Sequence, residues 1–364
     1  MRLSIPQPQF LKNLQMVEHA VNERSTLPIL ANVLLETSGN ELTLTATDLD
    51  VGIQCRFPLT QAVEQGSVAL PARKLTTIIR ELPGEMIIFE AKKNHTATVN
   101  CGTSNFRIPG LPAEDFPVLP SMDGAESIRI SQSALKNLVT QTAYAMSMEE
   151  TRFILNGALL ATQKNQLIIV ATDGRRLAVA SEPVSGKQTI NVVIPSKAMR
   201  ELGRLLQADA GDVEITPLKD NQLTFRFGQV TIVTRLIEGQ FPAYDKVIPA
   251  PSKNTLTCGR QELTNAIRRA GLMTTATSQA IVFEITCDHL VVSKESAELG
   301  SAREELSVKY GGDAMTIAFN PEFWLDVLKI LPSEEIVIEL SGADRPAVVR
   351  QTGFTYIVLP MKVA

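Results

Sequence analysis

One pattern runs three times along this chain, and an internal repeat of that kind restricts the fold to tandem copies of one domain. Ala46-Thr47-Asp48 returns as Ala171-Thr172-Asp173, 125 residues later, and Phe116-Pro117 returns as Phe241-Pro242 at the same distance. Gly102, Gly228 and Gly353 keep steps of 126 and 125 residues and sit where hairpin turns are expected. Helix-like segments opening at Ala72, Ser196 and Pro321 repeat with nearly the same step. The 364 residues therefore divide into three domains, placed at 1–125, 126–252 and 253–364, each within the usual size of an independent domain.

Each copy reads as strand, helix, strands, helix, strands. Apolar residues return at helical spacing at Phe10, Leu14, Val17 and Val21, and again at Leu135, Leu138, Val139 and Met146, so one stripe is buried and the opposite face is polar. A third such helix starts near Leu263. Second helices are expected over Arg73–Leu82, Lys197–Leu206 and Glu322–Leu331, introduced by Pro71, Pro195 and Pro321, because the first helical amides have no intrahelical acceptor to lose. Alternating runs such as Leu42-Thr43-Leu44-Thr45 and Leu223-Thr224-Phe225-Arg226-Phe227 have the period of strands with one buried face. The fold class is α+β: three tandem domains, each with two helices on one side of antiparallel sheets.

Charge is divided unevenly between these layers. Six helical windows (8–22, 72–82, 132–146, 196–206, 260–273 and 321–331) hold 12 Lys/Arg against 6 Asp/Glu, which leaves 23 basic and 33 acidic residues for the rest of the chain. A protein with a net charge of −4 thus concentrates positive charge on its helices. Lys12, Arg73, Lys74, Arg80, Lys136, Lys197, Arg200, Arg204, Arg268, Arg269 and Lys329 lie outside the apolar stripes. Each is either a solvated surface charge or part of a repeated lining suited to phosphates without base readout.

Other chemistry is missing. With 44% hydrophobic and 20% charged residues, this is ordinary globular composition. No uncharged apolar run reaches membrane-spanning length, and the N-terminal residues lack the apolar stretch of a signal peptide, so a cytoplasmic location is expected. Cys55, Cys101, Cys258 and Cys287 are scattered without CxxC spacing, which argues against a zinc site. There is no P-loop, GxGxxG, HExxH or GxSxG, and His19, His95 and His289 fall at unrelated places in the repeats. Asp48 and Asp50 are expected to bond the amides of the following turn rather than a cation. No catalytic residue, metal or cofactor is expected.

Several segments then carry a resemblance. Thr26-Leu27-Pro28-Ile29-Leu30, Pro71-Ala72-Arg73-Lys74, Leu155-Asn156-Gly157, the run from Ala171-Thr172-Asp173-Gly174 through Ala178, Phe241-Pro242-Ala243-Tyr244 and the terminal run Tyr356 to Lys362 resemble the bacterial sliding clamp family, the beta subunit of DNA polymerase III, along the whole chain. The resemblance implies a non-catalytic processivity factor in DNA replication, labelled with DNA-directed DNA polymerase or nucleotidyltransferase activity only through its holoenzyme. Its chains close head to tail into a homodimeric ring, with helices lining a hole for double-stranded DNA and sheets forming the outer wall. No membrane partner is implied.

Residue by residue, the family's peptide pocket corresponds to Leu155, Thr172, Gly174, Arg175, Arg176, Leu177, Pro242, Val247, Asn320, Phe323, Ile357, Leu359, Pro360, Met361 and Lys362. There the clamp loader, the replicative polymerase and repair polymerases dock short motifs of Gln and large apolar residues. Arg175 stands where histidine is common, Lys362 where arginine is common, and Ala364 extends the tail. Ring closure points to Ile78, Leu82, Phe106 and Ile108 meeting Leu272 and Met273. Arg24 and the turn Met148-Glu149-Glu150 fall where the family touches DNA. The competing reading is a peptide-binding adaptor built from the same repeats that never encircles DNA.

Overall fold

The computed structural model describes residues 1–59, 61–120, 126–149, 151–186, 188–208 and 210–362, with no side-chain description for 61–63. Glu150 and Ala364 lie outside the described residues. Six α-helices occur in chain order: α1 (Gln7–Val17), α2 (Ala72–Glu81), α3 (Gln132–Thr142), α4 (Ser196–Leu205), α5 (Arg260–Gly271) and α6 (Pro321–Ile330). The three second helices begin and end one residue earlier than the sequence reading. Pro71 stands at the N-cap of α2 and Pro195 ends the strand before α4. Pro321 alone occupies the first helical turn, behind an Asn320 N-cap whose side chain accepts a bond from the Glu322 amide.

Every strand pairing among the described residues is antiparallel. The chain forms two compact units whose borders do not follow the repeat. One comprises 1–136, 184–188 and 197–236; the other comprises 137–183, 189–196 and 237–364. The first unit contains a five-stranded and an eight-stranded sheet, the second a nine-stranded and a four-stranded sheet. In the eight-stranded sheet Val230–Arg235 pairs with Val51–Pro58, and in the nine-stranded sheet Arg176–Pro183 pairs with Phe354–Val358. The middle repeat therefore gives one of its sheets to each neighbour, and each unit has a continuous sheet across a repeat boundary.

The helices pack as their apolar stripes require. α2 buries Ala72, Leu75, Ile78 and Ile79 and leaves Arg73, Lys74 and Arg80 exposed. α5 buries Leu263, Ala266, Ile267 and Ala270, with Arg268 and Arg269 outside. Packed aromatics join α6 to the core of the second unit, where the ring of Trp324, fully buried, has its centroid 5.4 Å from that of Phe319 and 6.2 Å from that of Phe283. The hairpin glycines Gly102, Gly228 and Gly353 have φ of 55°, 52° and 70°, the left-handed conformation that makes glycine the least strained choice there.

Candidate peptide-docking site

A single turn, made twice, builds the site. In the second unit Thr172 Oγ1 accepts from the Gly174 amide (3.0 Å), and Asp173 Oδ1 accepts from the amides of Arg175 (2.9 Å) and Arg176 (3.0 Å). In the first unit Thr47 Oγ1 accepts from Leu49 (3.0 Å), and Asp48 Oδ1 accepts from Asp50 (3.1 Å) and Val51 (2.8 Å). The aspartate of each Ala-Thr-Asp triplet thus ends a strand by bonding the next turn. The second oxygen of each carboxylate takes a cation: Lys197 Nζ at 2.5 Å from Asp48, Arg176 Nε at 3.0 Å from Asp173. Among the described residues no cluster of three or more His, Cys, Asp or Glu side chains is arranged for a metal.

The surroundings of the turn are also duplicated. The Asn22 amide donates to Leu30 O as the Ser147 amide donates to Leu155 O, and the Arg235 amide donates to Asp50 O as the Leu359 amide donates to Arg175 O. What differs is the side chains. Position 52 is glycine in the first unit, where an added Cβ would stand 2.5 Å from Leu119 Cδ2, so a leucine of the same unit covers that backbone. The counterpart in the second unit is Leu177, and there a cavity is open.

That cavity has a volume of about 220 Å³ and is lined by Leu155, Thr172, Gly174, Arg175, Arg176, Leu177, Pro242, Ala243, Tyr244, Val247, Ile357 and Leu359. Its floor is a pair of cross-strand neighbours, Leu177 and Ile357, in a buried cluster with Leu159, Val170, Val193, Phe241 and Val348. Its rim exposes large apolar groups, Val247 at 59% and Leu359 at 42%. An open apolar socket with a few fixed polar groups suits the anchor residues of a peptide. Ala243 and Tyr244 were missed by sequence reasoning, although the recurring Phe-Pro that precedes them was the available signal.

The other residues expected at the pocket sit elsewhere in the same unit. Asn320 is occupied as the α6 cap (2.9 Å), and the Met361 amide bonds Ala318 O at 2.8 Å. Pro360 and Met361 are half-buried and Lys362 is exposed. Phe323 is joined to the cavity through Arg176. The Arg176 guanidinium carbon lies 4.5 Å from the Phe323 ring centroid and 5.5 Å from that of Tyr144. Arg176 Nη1 donates to Asp326 Oδ2 (2.6 Å) and Nη2 to Tyr144 O (2.7 Å). Tyr356 Oη donates to Phe323 O (2.7 Å), and burial pushes the Tyr356 phenol well above its ordinary range.

The basic candidates divide into two groups. Arg73 is paired with Glu23 (3.1 Å), Lys197 with Asp48, Arg204 with Glu201 (2.6 Å) and Arg269 with Glu304 (2.5 Å). Arg204 further donates to the carbonyls of Gln15 (3.0 Å) and Met16 (2.9 Å) at the end of α1. Lys74, Arg80, Lys136, Arg200 and Arg268 have no side-chain partner among the described residues, nor has the exposed Arg24. Glu149 is paired with Arg152 at 2.9 Å. Of the candidates for ring closure, Ile78, Leu82 and Ile108 are buried, Phe106 is 38% exposed on the edge strand Ser104–Pro109, and Leu272 is 70% exposed just beyond α5.

Fold and site together define a triplicated α+β scaffold with a surface socket for apolar anchors. The chain matches three successive family descriptions: DNA polymerase III beta subunit N-terminal domain over residues 1–120, central domain over 129–243 and C-terminal domain over 245–362. The beta sliding clamp of Pseudomonas putida is 34% identical over 367 residues, covering all of both chains, and that of Staphylococcus aureus strain N315 is 31% identical over 377, covering all of this chain and 99% of the relative. Among solved structures, a Pseudomonas aeruginosa sliding clamp bound to griselimycin has a TM-score of 0.94 at 34% identity, and the Bacillus subtilis DNA polymerase sliding clamp one of 0.93 at 28%, each over the full length of both chains. The chain belongs to the DNA polymerase III beta subunit family, the sliding clamps.

Proposed function

We propose that two copies of this chain close head to tail around duplex DNA and carry replication and repair proteins on it through the socket beside Leu177. The chain is the processivity subunit and performs no nucleotidyl transfer; topology holds it on DNA. The observation that carries this reading is the recurrence on the helices of cations without partners among the described residues: Lys74 and Arg80 on α2, Lys136 on α3, Arg200 on α4 and Arg268 on α5. Cations contributed by successive repeats give many weak phosphate contacts, which permit sliding.

Head-to-tail closure is heterologous and yields a finite object because the rotation closes. The exposed Phe106, on a free sheet edge, and the exposed Leu272 are apolar groups that an interface would cover. Three domains at 1–125, 126–252 and 253–364 make six modules in such a ring. The socket takes the apolar side chains of clamp-loader and polymerase peptides, with Arg176 fastening its wall. A cytoplasmic location fits a replication subunit in which no helix of the described residues is long and apolar enough to cross a membrane. Sedimentation equilibrium in dilute solution tests closure: a particle of twice the 39.7 kDa chain mass is expected, and a monomer at every concentration would rule the ring out.

A further inference from the structure

We infer that Arg175 makes the socket select peptides that place a carboxylate beside their apolar anchors; this rests on the peptide-docking reading above. The cavity lining holds two cations. Each of the three guanidinium nitrogens of Arg176 is engaged, by Asp173, Asp326 and the Tyr144 carbonyl. Arg175 is held only through its backbone: its amide donates to Asp173 Oδ1 (2.9 Å) and its carbonyl accepts from Leu359 (2.9 Å). Its exposed guanidinium has no ion pair or hydrogen bond among the described residues.

The acids near it do not compensate that charge. Both oxygens of Asp173 are taken by the turn amides and by Arg176 Nε, and Asp245, on the turn that carries Val247, forms no ion pair among the described residues. The first unit places Asp50 at the corresponding position of its turn, so the cation belongs to the socket rather than to the repeated scaffold. A guanidinium fixed at the root, free at the tip and flanked by apolar surface is a planar donor for a carboxylate oxygen pair. A partner bringing lysine to the same place is repelled. The carboxylate is either an Asp or Glu side chain or the free end of a peptide.

Fluorescence anisotropy of the full chain with labelled peptides tests this. The reference is the blocked neutral peptide acetyl-Gln-Leu-Ala-Leu-Phe-amide. One set moves a single Asp through it and one place beyond each end, and another peptide has a free C-terminal carboxylate. The readout is the affinity ratio of each acidic peptide to the reference. A gain of about fivefold is expected for at least one acidic peptide at low salt, falling to parity in Arg175→Gln and reversing in Arg175→Glu; the arm that gains identifies the source of the carboxylate. Parity for every acidic peptide with the unaltered protein, or a gain that survives Arg175→Gln, would overturn the inference while leaving the docking site intact. Failure of all the peptides, reference included, to bind the unaltered protein would instead overturn the docking reading and this inference with it.

Discussion

Arg176 and Phe323 lie 147 positions apart in the chain, and the guanidinium of one stacks on the ring of the other at 4.5 Å. The same guanidinium lines the socket and bonds Asp326 on α6. One side chain therefore ties the strand that floors the socket to the helix that follows Asn320. Arg176→Met removes the cation and leaves Asp173 without one of its partners. Losing one member of a largely buried ion-paired group costs about 3 kcal/mol, so urea unfolding of the variant is expected to shift by that order. Arg176→Lys is expected to recover little of it, because an ammonium cannot stack and bond both carboxylates with planar geometry.

The paired turns predict opposite effects at equivalent positions. Gly174 has φ of 85°, and a Cβ there would lie 2.7 Å from Arg152 Nη1. Gly174→Ala is expected to cost about 1–2 kcal/mol and to disturb the socket rim. Leu49 holds φ of 79° at the matching place, so Leu49→Gly is expected to stabilise the first unit, by up to about 1 kcal/mol. Thermal unfolding of the two variants checks both signs.

Basic residues of similar appearance separate by function. Arg204 is committed to Glu201 and to two α1 carbonyls, so Arg204→Ala is expected to lower stability by about 1–2 kcal/mol. Lys74→Ala and Arg200→Ala are expected to leave stability within about 0.5 kcal/mol. Each should also reduce the slope of log affinity against log salt for duplex DNA by about 1. Denaturation and DNA titrations at several salt concentrations distinguish the two outcomes.

The thiols report burial and pH. Burial, above all, pushes the Cys55 and Cys258 thiols up to about 12, while Cys287 is exposed. A disulfide reagent at pH 8 is expected to modify Cys287 quickly and the other three only on unfolding. The folded state keeps protons that the unfolded chain releases above the ordinary thiol value near 9. Stability is therefore expected to be unaffected by these groups below that pH and to fall as the pH rises from about 9 toward 12.

The repeat was legible because a duplicated backbone needs the same turn chemistry: Asp48 and Asp173 bond the same two following amides. Helix positions were legible from the apolar stripes and, for the second helix of each repeat, from the prolines Pro71, Pro195 and Pro321. Ion pairing was not, since Glu23, Asp48 and Glu304 reach Arg73, Lys197 and Arg269 across 50, 149 and 35 positions, and no periodic pattern encodes such meetings. For the same reason the stacking of Arg176 between Tyr144 and Phe323 was invisible in a sequence that had already singled out Arg176 and Phe323. The division of the middle repeat between two units also escaped a reading based on linear spacing.

Replacing Leu272 and Met273 together with alanine removes the exposed apolar group beyond α5. A soluble monomer is expected by sedimentation, with the socket still binding peptide. An intact dimer would move the interface elsewhere.

Encirclement is tested most directly by loading the protein onto nicked circular duplex DNA with its clamp loader, removing the loader, and cutting the circle with a restriction enzyme. Retention on the circle and rapid loss after cutting are expected, because a closed ring leaves only over a free end. Equal dissociation before and after cutting, or persistence on the linear product, would contradict the account.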